Sequence, residues 1–119
     1  MVRLCSYNWY KNHDCTDAQN FAIENKAELG LEILADLCPS QELNEFYQAN
    51  PNSFEYFAEG YSRELLSADT QKILTYIEFC SKKTGININL VCSCLDYHKC
   101  HRDLIMQTLL NRGVECQCV

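Results

Sequence analysis

Glycine and proline are scarce in this chain, at 4 and 2 of 119 residues. So few breakers leave little room for flexible linkers or low-complexity tails. Long apolar runs are missing as well, and none approaches the ~20 residues that a membrane-spanning helix needs. No apolar stretch follows Met1 ahead of the polar segment through Cys15, as a secretory signal would require. Basic charge is in deficit: the net charge is −6 and the pI is near 4.9. That excludes a protein that grips extended nucleic acid by neutralising phosphates. Glycine-rich phosphate loops, the Gly-x-Ser-x-Gly elbow and the His-Glu-x-x-His helix are all absent, and so are internal repeats. The expectation is one soluble domain over residues 1–119, away from membranes, in the cytoplasm. Neither cofactor nor oligomeric state is specified.

Cysteine, by contrast, is abundant at 9 residues. The odd count and the missing signal argue against a secreted disulfide framework. Buried cysteine also packs as a small hydrophobe. Cys80 falls on the apolar face of a helix pattern, and Cys116 and Cys118 alternate with polar residues as in a strand.

The pattern of apolar residues predicts an α/β domain: a small, mainly parallel sheet flanked by helices in a Rossmann-like three-layer arrangement. Arg3–Tyr7 reads as the first strand and 8–16 as a loop with an aromatic cluster. Residues 17–28 are read as a weakly periodic helix, and 29–37 as an extended segment ended by Pro39. Ser40 caps a helix with Leu43, Phe46 and Tyr47 on one face. Ser53 caps a second, striped by Phe54, Phe57, Tyr61 and Leu65. Asp69 caps a third, with Ile73, Leu74, Ile77 and Cys80 inward, and Gly85 ends it. Residues 86–91 form an interior strand, 100–111 a helix burying Leu104, Ile105, Thr108 and Leu109, and 114–119 a last strand. A strand–helix–strand unit makes the flanking strands parallel.

Chemistry concentrates where the 86–91 strand hands over to the last helix. A loop entering a helix presents free backbone N–H groups and a positive dipole end, which together bind anions. Cys100, at that helix start, would have its thiol acidified by the dipole and by His101 or Arg102. There Cys100 is the candidate nucleophile and His101 the candidate acid or base. Arg102 would hold a phosphate or carboxylate by paired hydrogen bonds. Asp96 would orient either, and His98 and Lys99 would make the pocket locally basic. Tyr61 offers a hydroxyl toward a ligand. The expected partner is a nucleotide or a phosphorylated small molecule.

A bland alternative stands beside this: His101 and Arg102 cap and pair locally while Cys100 packs. A zinc reading is weakened by the one-residue gaps of Cys92/Cys94 and Cys116/Cys118, shorter than zinc knuckles use. No metal ligand is therefore assigned. The non-enzymatic alternative is a protein-interaction module with structural or zinc-bound cysteines.

Four segments in this order resemble the family called domain of unknown function 488. They are Leu37-Cys38-Pro39, Tyr61-Ser62-Arg63-Glu64-Leu65, Leu90-Val91-Cys92-Ser93-Cys94 and Cys100-His101-Arg102-Asp103-Leu104-Ile105. The likeness covers about residues 30–115 and is most specific at Cys-His-Arg. It implies a compact α/β fold and a site containing Cys92, Cys100, His101 and Arg102, and it implies no particular activity. Cys94 stands where many members carry an acidic residue.

Overall fold

The computed structural model describes residues 1–26, 28–93 and 100–119. Among these residues, five strands form one sheet in the order β3-β2-β4-β1-β5, and every pairing is parallel. The strands are β1 (Val2–Ser6), β2 (Ala18–Ala22), β3 (Glu32–Ile33), β4 (Asn87–Cys92) and β5 (Cys116–Cys118). The helices are α1 (Tyr7–Lys11), α2 (Gln41–Ala49), α3 (Phe54–Glu64), α4 (Ala68–Phe79) and α5 (His101–Asn111). This is the α/β architecture that the patterning predicts, with β4 and β5 parallel through their shared neighbour β1.

Register sorts the side chains. Leu4 pairs with Leu90 and Cys118, and Phe21 with Leu90, so these share one face of the sheet. That face carries the main core, packed by Leu43 of α2, Phe57 and Tyr61 of α3, Leu74 and Ile77 of α4, and Ile105 and Leu109 of α5. Burying each such side chain stabilises by about 1.5–3 kcal/mol, so the helix-covered face dominates the energetics. Close approach of α2 and α3 depends on Gly60, where a Cβ would stand 2.9 Å from Leu43 Cδ1.

The opposite face is covered more thinly. Cys5, Tyr7 and Val91 pack there with Trp9 and Tyr10. Beside them runs a polar row in which Arg3 Nε donates to Asn89 Oδ1 at 2.8 Å and Asn89 Nδ2 to Asn20 Oδ1 at 2.8 Å. The Arg3 guanidinium also lies over the Trp9 ring, 5.6 Å from its centre.

Several local expectations change. The helix expected at 17–28 is strand β2, because Ala18 to Ala22 pair in register with Asn87 to Val91 of β4. Long-range pairing outweighs a weak helical pattern. Tyr7, expected in the first strand, and residues 8–11, expected as loop, form α1, whose first turn is held by Ser6 Oγ accepting from the Trp9 amide. The expected extended run at 29–37 holds the two-residue β3 and then a 3₁₀ turn, Ala35–Leu37. Ser67, not Asp69, caps α4, accepting from the Thr70 amide. Ser53 stands at the α3 start without a side-chain cap bond. Leu104 and Thr108 are half-buried rather than buried.

Candidate functional site

The carboxyl ends of β2 and β4 lie side by side, and α5 begins against them. Ligands in open parallel sheets bind in this crevice. Three groups meet here. Cys92, the last residue of β4, is fully buried. Cys100 is the residue before the first turn of α5, in extended backbone (φ −142°, ψ 155°). Its side chain makes no cap bond to the helix. It turns instead toward Cys92, with Sγ···Sγ 3.4 Å, and toward His101 Nδ1 at 3.5 Å.

His101 is oriented by a residue that the sequence did not mark. Its Nε2 lies 2.7 Å from the carbonyl oxygen of Ile23, just beyond β2. A carbonyl only accepts, so Nε2 carries the proton of the neutral ring. Nδ1 is left with its lone pair toward the Cys100 thiol. A backbone carbonyl thus aligns the imidazole, and the imidazole faces the thiol, the geometry that an activated thiol requires. No side-chain signal could have revealed Ile23, because its contribution is a backbone carbonyl brought near by β2–β4 pairing.

Tyr61 meets His101 edge-on, with ring centres 5.4 Å apart. Its hydroxyl donates to the Leu37 carbonyl at 2.6 Å and is buried. Burial pushes its phenol well above its ordinary value. Tyr61 therefore props the imidazole and ties α3 to the 3₁₀ turn, with its polar tip engaged within the protein.

Arg102 is 1% exposed. Burial raises the thiols of Cys5 on β1 and Cys118 on β5, and the Arg102 charge opposes that rise at both. An opening lies beside Cys100 and His101. It is a cavity of about 500 Å³ whose walls include Glu24, Lys26, Glu28, Tyr47, Phe57 and Ser93. Tyr7 fixes part of its rim, its hydroxyl accepting from the Glu28 amide at 3.1 Å. The structure thus brings Cys92, Cys100, His101 and Tyr61 together, and Arg102 follows His101 in the first turn of α5, buried. Cys94, Asp96, His98 and Lys99 lie outside the described residues.

Donor atoms of Cys92, Cys100 and His101 all fall within 4.8 Å of one another. Tetrahedral zinc, with bonds of about 2.3 Å to sulfur and 2.0–2.1 Å to nitrogen, spans S···S and S···N edges of about 3.8 and 3.5 Å. A soft divalent cation would fit after a small spreading of the two sulfurs. Cys116 and Cys118, which the sequence pairs closely, lie apart from this cluster on β5 and pack against the core. Burial pushes the Cys118 thiol up to about 11 and raises Cys116 as well.

Among the described residues, no helix is long and apolar enough to cross a membrane. No curated protein and no solved structure matches the chain. Residues 12–113 match the family model DUF488-N3a, described as the active DUF488-N3 subclade, and the chain belongs to that family.

Proposed function

We propose that this protein is a thiol-dependent enzyme in which Cys100 is the nucleophile and His101 its base. Its substrate is a small electrophile with one compact anionic group, such as a phosphorylated metabolite or nucleotide. The carrying observation is the bond from His101 Nε2–H to the Ile23 carbonyl, which commits the ring to presenting Nδ1 to the Cys100 thiol. Description of the family as an active subclade supports retained chemistry. Charge on the cavity walls narrows the ligand. Glu24 and Glu28 against Lys26 repel a charge spread through the opening, so the anionic group belongs at the α5 N-terminus, where Cys100 and His101 line the cavity. Such chemistry needs reduced thiols, so a reducing compartment, the cytoplasm, is the proposed location.

Iodoacetamide labelling at neutral pH, read by peptide mapping, tests the assignment. Cys100 labels first among the cysteines, and His101→Gln, which keeps a donor for Ile23, slows it about 100-fold. Labelling without preference for Cys100 overturns the reading.

The same three donors favour a second reading, a zinc-bound cysteine module without catalysis. Its histidine would already have the outer-shell partner that metal-bound imidazoles use. About one zinc per chain in protein purified without chelator, with Cys100 unreactive until the metal is stripped, would establish it.

A further inference from the structure

Cys92 takes no part in the nucleophile–base pair, yet among the described residues its sulfur lies close to the Cys100 sulfur, at 3.4 Å. Neither is in a disulfide. A disulfide bond is about 2.05 Å long, so closing this pair requires the sulfurs to approach by roughly 1.4 Å, within reach of side-chain rotation and a small backbone shift. Cys92 and Cys100 are both buried, but only Cys100 of the two lines the 500 Å³ cavity. The two positions are therefore unequal: a small molecule in the cavity meets Cys100, and Cys100 meets Cys92.

From this asymmetry we propose that the centre reduces hydroperoxides, with Cys100 attacked first and Cys92 resolving it. The inference rests on Cys100 being the nucleophile. In the first step the Cys100 sulfur displaces the distal oxygen of ROOH. The O–O bond breaks, an S–O bond forms, and the sulfur is oxidised to sulfenic acid. The thiol proton, held by His101 Nδ1, passes to the departing RO⁻ and yields ROH. In the second step the Cys92 sulfur attacks the Cys100 sulfenic sulfur. An S–S bond forms, and the hydroxyl leaves as water with the Cys92 proton. An external dithiol then reduces the disulfide and is itself oxidised to a cyclic disulfide, restoring both thiols.

The surroundings favour this order. Without a nearby thiol, a sulfenic acid proceeds to irreversible sulfinic acid, and 3.4 Å places Cys92 to intercept it. Small cavity volume admits a short-chain hydroperoxide while keeping bulky disulfides from the buried pair. Competing oxidation is disfavoured at Cys5, Cys15, Cys38, Cys116 and Cys118, where burial raises the thiols.

The test uses the full chain, reduced and freed of metal, with one equivalent of hydrogen peroxide. Peptide mapping should recover a Cys92–Cys100 disulfide that dithiothreitol reverses. Cys92→Ser should accumulate a dimedone-trappable sulfenic acid at Cys100 and lose at least about tenfold in dithiothreitol-dependent peroxide consumption. Cys92→Ala provides the same readout if the serine variant fails to fold. A bridge from Cys100 to Cys94 or to any other cysteine overturns the proposal, as does direct conversion of wild-type Cys100 to sulfinic acid. If Cys100 is preferentially alkylated but never bridges to Cys92, the peroxide inference alone fails. If Cys100 shows no preferential alkylation, the thiol-enzyme reading fails with it.

Discussion

Two pairs of cysteines in this molecule differ in an instructive way. Cys116 and Cys118 are close in sequence, share one face of β5 and pack against the core. Cys92 and Cys100 are 8 positions apart, yet their sulfurs lie 3.4 Å from each other with His101 alongside. On a strand, a one-residue gap points two side chains the same way but holds them about 7 Å apart along the chain. A turn of backbone between a strand end and a helix start can close that distance. Proximity of thiols here is a property of the β4–α5 junction and not of sequence spacing.

The strongest way to break the comparison is to exchange the roles by mutation. Cys116→Ala combined with Cys118→Ala should leave Cys100 alkylation within about twofold of wild type, whereas His101→Gln slows it about 100-fold. Equal slowing by both variants would mean that the distinction between the two pairs is false. Competition kinetics with mass-spectrometric counting of each peptide supplies the measurement.

A smaller effect sharpens the division between orientation and chemistry. Tyr61→Phe removes the donor to the Leu37 carbonyl, leaving that buried acceptor unsatisfied. Denaturant unfolding should show a loss of about 1–3 kcal/mol, while Cys100 reactivity in the folded state changes by less than about threefold. A hundredfold loss of reactivity without loss of stability would instead make the Tyr61 hydroxyl a direct participant.

The smallest expected effect concerns the packed thiols as a class. Burial holds Cys5 up at about 12 and Cys38 and Cys118 up at about 11, against an ordinary 9.0. Each keeps its proton in the fold after the unfolded chain has lost its own. Their contribution is complete below about pH 9 and declines as pH rises toward 11–12. The urea midpoint should therefore fall across that window, and less steeply in Cys5→Ala. A Cys5→Ala profile with the wild-type slope would show that this thiol is not shielded from water.

Legibility in the sequence followed the strength of the local signal. Phe57 and Tyr61 at helical spacing, and the segment from Ile86 to Val91 that alternates and then turns apolar, each carry their own pattern, so α3 and β4 were readable. The segment Ala18 to Ala22 has two alanines, a glutamine and an asparagine, and only its pairing with β4 makes it a strand. At the site, the place of Cys92, Cys100 and His101 between strand and helix was legible. Tyr61 was legible as a nearby residue, but the use of its hydroxyl was not, because Leu37 reaches it from 24 positions away. For Arg102, helix position predicts proximity to the helix start, while its burial depends on how α5 lies across the sheet.

The sequence by itself determined the α/β class, the place of the Cys-His-Arg motif at the start of the last helix and the family, since each rests on local periodicity or on a contiguous motif. Only the tertiary structure decided which nitrogen of His101 faces Cys100 and which cysteine faces it. Both depend on atoms distant along the chain, the Ile23 carbonyl and the Cys92 sulfur, that parallel pairing of β2 with β4 delivers to one point. Hydrogen-bond direction and sulfur–sulfur distance act over about 3 Å, a scale that spacing along a chain does not fix until the sheet has formed.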